Sequence, residues 1–161
     1  MRGGESRVFG ITHGSLTDLL DRAEELEASM APSVSVRLHG DFNANNVVYD
    51  AETDRVHFID VHRSRQGDYL QDIGVLLVSN IRNPIEDERV AGDLARLNEL
   101  IREFAVEFSR LIGDDHFETR LTLSQARSFI TSGRVVADFE FARSIFLQGV
   151  HLLERATTLV A

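Results

Sequence analysis

Apolar positions change period several times along the chain. Leu16, Leu19, Leu20, Ala23 and Leu26 recur at helical spacing from Ser15 to about Met30, and Pro32 stops the run. Ser15 opens this helix, with Asp18 three residues on as a weak capping-box partner. Val34, Val36 and Leu38 then alternate with Ser33, Ser35 and Arg37, the two-residue period of a short strand. Val47-Val48-Tyr49 and Val56-His57-Phe58-Ile59 are β-prone runs on either side of a turn-like Asp50-Ala51-Glu52-Thr53-Asp54, which predicts a hairpin. From Asp68, a plausible N-cap, the helical period returns: Tyr69, Leu70, Ile73, Leu76 and Leu77 share a face. Pro84 breaks that run. Val90, Leu94, Leu97, Ile101, Phe104, Phe108 and Leu111 form a long stripe that Gly113 ends. Asp114-Asp115 can cap one or two shorter helices reaching about Ser132. A last helix is expected from about Arg134, with Val135, Phe139, Ala142, Phe146, Leu153 and Ala156 inward. Residues 1–14 carry four glycines and read as a loose start. The fold class is mainly α with a small β-hairpin element (α+β), and residues 15–161 read as one domain.

Composition narrows what such a chain can do. Its 161 residues suit one ordinary domain, and 43% hydrophobic with 27% charged residues is a globular balance. No apolar run approaches the length of a membrane span, and the start does not read as a signal peptide, so a cytoplasmic protein is expected. The absence of cysteine excludes disulfides, thiolate metal sites and a cysteine nucleophile. A net charge of −9 with only a short basic patch argues against nucleic-acid binding. All 17 basic residues are arginine. No step that needs a lysine can therefore be carried by these residues, including the lysine that grips nucleotide phosphates in kinases. No Gly-x-Gly pair supplies a phosphate loop either.

The loop at 39–46 carries the chemistry. It reads His39-Gly40-Asp41-Phe42-Asn43-Ala44-Asn45-Asn46, or His-x-Asp-x-x-x-x-Asn, between a strand and a hairpin. In kinases, an Asp and an Asn at this spacing accept the proton of the attacking hydroxyl and bind a metal ion. Phosphoryl transfer asks mainly for positioned oxygens and charge, and Mg²⁺ prefers the hard oxygens that both side chains offer. Fourteen residues after Asn46, Phe58-Ile59-Asp60 is an apolar strand ending in a carboxylate. A hairpin would return Asp60 to the end occupied by Asn46.

On these residues the chain resembles the aminoglycoside phosphotransferase family, part of the protein-kinase-like superfamily that includes choline kinases. His39, Gly40, Asp41 and Asn46 match its loop, Ile59 and Asp60 its metal-binding strand end, and Gly67, Asp68 and Asp72 its next helix start. The resemblance covers about residues 15–161, the family's helical C-terminal lobe. It implies an ATP-dependent small-molecule kinase with Asp41 as catalytic base and Asn46 and Asp60 as Mg²⁺ ligands. His39 and Asp68 or Asp72 would brace the loop. The family's N-terminal lobe is not matched, so the nucleotide grip is incomplete in this chain. Where the family often has Phe-Gly or Trp after the metal Asp, Val61-His62-Arg63-Ser64-Arg65 follows here. Arg63 and Arg65 read either as phosphate contacts or as a solvated basic loop.

Other residues have plainer readings. Asn43 and Asn45 suit turns. His13, His57, His116 and His151 lack metal-ligand spacing. Glu86-Asp87-Glu88 and Asp114-Asp115 suit helix starts, and would otherwise attract a cationic substrate. Phe104/Phe108 and Phe139/Phe146 are expected in the core. The partners implied are a small-molecule hydroxyl substrate, and a missing N-lobe, a protein partner or a second copy on the face where that lobe would dock. The rival reading is a non-catalytic binding or regulatory module derived from the lobe, or one piece of a split or truncated kinase.

Overall fold

The computed structural model describes residues 6–8, 11–13, 15–32, 34–82 and 87–158. In chain order these form β1 (Ser6–Val8), β2 (Ile11–His13), α1 (Leu16–Ser29), β3 (Val36–Leu38), β4 (Val47–Asp50), β5 (Arg55–Phe58), β6 (Arg65–Gly67), α2 (Tyr69–Arg82), α3 (Glu88–Leu111), α4 (Phe117–Ser132) and α5 (Phe139–Thr158). Short 3-10 turns cover Ala44–Asn46, Val61–Arg63 and Gly133–Val135. The described chain is thus mainly helical, with three two-stranded antiparallel pairs: β1–β2, β3–β6 and β4–β5. Among the described residues no helix is long and apolar enough to cross a membrane. Two compact units divide the fold, one within residues 1–31 and 118–161, the other within 32–117.

The first unit buries one apolar cluster: Leu19, Ala23 and Met30 with Leu123 and Ala126 of α4 and Val150, Leu153 and Ala156 of α5. Gly149 permits the close approach of α5 to α4, because a Cβ there would lie 2.7 Å from Ile130 Cγ1 and 3.0 Å from the Ala126 carbonyl oxygen. A cavity of about 780 Å³ in this unit is built from the end of α4, the following turn and the start of α5. It contains none of the candidate chemical residues.

The second unit packs the β3–β6 pair and α3 against α2, with Leu38, Leu70, Leu77, Val78 and Ala105 buried. Asn80 Nδ2 donates to Asn98 Oδ1 (2.8 Å), and the Tyr69 and Phe108 rings meet edge to face at 5.0 Å, so polar and aromatic contacts both tie α2 to α3. β4 and β5 form the expected hairpin, in the register Val47↔Phe58 to Asp50↔Arg55. Asp50 fixes its turn by accepting from Thr53 Oγ1 (2.6 Å) and the Glu52 N–H (2.9 Å).

Several sequence expectations are corrected. The β1–β2 pair lies in the segment read as loose; its β-branched Val8, Ile11 and Thr12 occupy runs too short to show a period. Ser15 occupies the N-cap position of α1 but makes no side-chain cap bond, so the Ser15/Asp18 capping box does not form. β6 was not expected, because Arg65-Gln66-Gly67 has no apolar alternation; its partner β3 organises it. The last helix starts at Phe139 instead of 134, because Asp138 Oδ1 accepts the Phe141 N–H (2.7 Å) and caps it there. Phe139 is 75% exposed and Phe104 71%, so neither joins a core. Along α3, Val90, Leu97 and Leu111 of the expected stripe are likewise exposed, while Ala105 and Ser109 are buried. The break expected at Pro84 lies outside the described residues.

Candidate active site

The loop at 39–46 leaves β3 at a buried Leu38 and is shaped first by Gly40. Its φ of +87° is a region L side chains rarely adopt. A Cβ at Gly40 would stand 2.3 Å from the Arg63 carbonyl oxygen, so here the loop and the 61–63 turn touch backbone to backbone. Ser64 Oγ donates to the Leu38 carbonyl (2.7 Å) and holds the same turn against the end of β3. Asp72, in the first turn of α2, accepts the His39 N–H at 2.6 Å and the Gly40 N–H at 3.1 Å. The His39 ring takes the Asp41 N–H on Nδ1 (3.4 Å), which leaves the proton on Nε2 to donate to the Ile59 carbonyl (2.8 Å). His39 thus ties the loop to the end of the hairpin.

Asp41 and Asn46 are joined by a hydrogen bond within this frame, and Asp60 follows at the end of the hairpin. Asp41 Oδ1 accepts from Asn43 Nδ2 (3.1 Å), and its Oδ2 forms an ion pair with Arg63 Nη1 at 3.2 Å. Asn46 is buried, and its Nδ2 donates to the Asp41 carbonyl (2.8 Å). That bond orients the amide and reserves Oδ1, the atom a metal would use. The Ile59 N–H donates to the Asn46 carbonyl (3.0 Å), one step beyond the Val47↔Phe58 pair. Asp60 therefore leaves the same end of the hairpin as Asn46. Its backbone is left-handed (φ 59°, ψ 42°), an uncommon state for a residue with a side chain. Its Oδ1 meets His62 Nδ1 at 2.6 Å.

A Mg²⁺ ion fits this donor set. Asn46 and Asp60 offer hard oxygens, and Mg²⁺ usually takes one or two protein ligands, leaving the rest to water and phosphate. No group of three or more His, Asp or Glu that could hold a metal ion occurs among the described residues.

The remaining candidates divide. Asp68 accepts the Leu70 N–H (3.0 Å) at the start of α2, while Asp72 carries both bonds to the loop backbone. Arg63 turns toward Asp41, whereas Arg65 Nη2 donates to Gln71 Oε1 (2.9 Å). Asp87 accepts the Arg89 N–H and caps α3, and Asp114 accepts from the Tyr69 hydroxyl (2.8 Å). Those two carboxylates have structural duties. Sequence reasoning missed Ser79, whose buried Oγ accepts the Ala44 N–H (3.3 Å) and supports the loop from α2. Its position on the face of α2 beside Leu76 and Leu77 was the available signal. It also missed that Asn43 does more than turn the chain, since it holds the Asp41 carboxylate. Beside the loop lies a cleft of about 480 Å³, walled by Leu38, Phe42, Phe58, Tyr69 and Phe108. Phe42 packs against His39 (5.6 Å) and edge-on to Phe58 (5.5 Å), which fixes the loop's apolar side.

A strand, a tight loop bearing Asp41 and Asn46, and a hairpin that returns Asp60 to the same end make up the candidate site. The chain belongs to the phosphotransferase enzyme family (APH), whose family model matches residues 11–108. That match contains all the candidate site residues and ends short of the 15–161 span expected from the sequence. Neither comparison with curated proteins nor comparison with solved structures returned a match.

Proposed function

We propose that the chain is the catalytic, protein-kinase-like C-terminal lobe of a small-molecule kinase that transfers the γ-phosphoryl group of ATP to a substrate hydroxyl. The observation that carries this reading is the hydrogen-bonded frame joining Asp41, Asn46 and Ile59–Asp60 at one loop. Asp41 orients the hydroxyl and accepts its proton as the hydroxyl oxygen forms a bond to Pγ. The bond from Pγ to the bridging oxygen breaks, and its electron pair leaves with ADP. Asn46 Oδ1 and the Asp60 carboxylate would hold Mg²⁺, which when bound neutralises charge on the phosphates. His39 and Asp72 keep the loop fixed, so little reorganisation is left for the reacting state.

A second reading concerns what completes the site. The hairpin exposes Val48, Tyr49, Val56 and Phe58, with Ile59 and Val61 beyond it, each 44–61% accessible. Tyr49, Val56 and Phe58 share one face of the hairpin, and this exposed apolar face, in a chain without lysine, supports a nucleotide-gripping lobe or partner seated there. The isolated 161 residues are then a folded but slow kinase.

Transfer of labelled γ-phosphate to amino-sugar, choline-like and neutral hydroxyl compounds tests the proposal. Product formation should require Mg²⁺ and fall about 10²–10⁴-fold in Asp41→Ala. Transfer that survives this substitution overturns the assignment of the base.

A further inference from the structure

The structure separates the two arginines of the 61–65 segment. Arg65 is turned to Gln71 on α2. Arg63 is aimed at the candidate base, with Nη1 3.2 Å from Asp41 Oδ2. Its backbone is not free to drift, since its carbonyl oxygen abuts Gly40 and the neighbouring Ser64 is bonded to Leu38. The turn therefore delivers a guanidinium to the site from a fixed base, while the side chain itself is 60% exposed and can swing.

Resting on the phosphotransfer reading above, we propose that Arg63 is a phosphate-binding residue that Asp41 holds in reserve. Without nucleotide, Arg63 pairs with the Asp41 carboxylate. When a triphosphate enters, Arg63 passes to the terminal phosphate and frees Asp41 Oδ2 for the substrate hydroxyl. Electrostatics favours the exchange. An ion pair this exposed is worth little, whereas a terminal phosphate carries more charge and matches the guanidinium fork with two oxygens. The device also orders the reaction, because the base is released only when the group to be transferred is in place. No lysine is present among the 161 residues to take this role. No bond is made or broken in the exchange.

The test uses the 161-residue chain with inorganic triphosphate and Mg²⁺, followed by titration calorimetry. Arg63→Ala should weaken binding roughly tenfold, and Arg63→Lys should restore much of it. Asp41→Asn removes the competing anion and should tighten binding severalfold. In an Arg63→Ala background Asp41→Asn should have a markedly smaller effect, because nothing is left to release. That non-additivity separates a handover from simple repulsion between Asp41 and phosphate. The exposed position of Arg63 makes misfolding of the variant easy to check by circular dichroism, and Arg63→Gln serves in its place if needed. Binding that depends on Asp60 but is unchanged in Arg63→Ala, or an equal Asp41→Asn effect in both backgrounds, overturns the inference and leaves the phosphotransfer reading standing. A wild-type chain that takes up no Mg²⁺–triphosphate overturns the inference, because Arg63 then holds no phosphate; the phosphotransfer reading is decided separately by the γ-phosphate transfer assay.

Discussion

Asp72 offers the sharpest test of how the loop is held. Its two carboxylate oxygens accept the N–H groups of His39 and Gly40 at 2.6 and 3.1 Å. Asp72→Ala removes both acceptors at once and leaves two part-buried donors facing a small void. Hydrogen bonds to a charged acceptor contribute about 1.5–3 kcal/mol each. Water can reach this half-buried position and recover part of that, so the loss should be about 3 kcal/mol in total. Asp72→Asn keeps one acceptor oxygen but turns an NH₂ group toward the other donor, and should lose about half as much. The assay is urea unfolding combined with amide hydrogen exchange at His39 and Gly40. Exchange at those two amides should accelerate more than at the core of α2. Wild-type stability and unchanged protection in Asp72→Ala would refute the bracing role.

Two further substitutions test other contacts of the fold. Gly149→Ala places a methyl 2.7 Å from Ile130 Cγ1, and should destabilise the α4–α5 packing by about 1–3 kcal/mol in thermal unfolding; a neutral effect would show that Ile130 yields freely. The Thr53 hydroxyl, followed by the Glu52 N–H, holds the Asp50 carboxyl below its ordinary value of 3.8. Because the folded value is depressed, this contribution is complete above pH 3.8 and disappears as pH falls through the lower folded value. Thr53→Ala should return the Asp50 titration, followed by carbon NMR, toward 3.8, and an unmoved titration would exclude the hydroxyl as the main cause.

The candidate site was more legible in the sequence than the packing around it. The His39–Asn46 spacing and the Ile59-Asp60 strand end are local signals, set by chemistry that needs particular residue types at particular positions. The hairpin was legible for a similar reason: two β-prone runs flank five turn-forming residues. The frame that holds the site was not legible. The bonds from Asp72 to His39 and Gly40, and from Ser79 to Ala44, join residues more than thirty positions apart, and no periodicity reports them. The left-handed backbone of Gly40, set where the loop meets the Arg63 carbonyl, and that of Asp60 were equally hidden. Apolar periodicity located α3 but not its environment, since a stripe shows which face is apolar and not what covers it. The start of α5 was misplaced because the apolar Val135-Val136 outweighed the capping signal of Asp138.

Mn²⁺, which takes oxygen ligands as Mg²⁺ does, broadens the NMR signals of nuclei near its site. Added with ATP to the isotope-labelled chain, it tests most directly that one metal–nucleotide site is built from this loop and the end of the hairpin. The amides of Asp41, Asn46 and Asp60 should broaden first, and Asp60→Asn should abolish that pattern. Broadening centred instead on Asp114 and Asp115, or spread evenly over the acidic surface, would contradict the account.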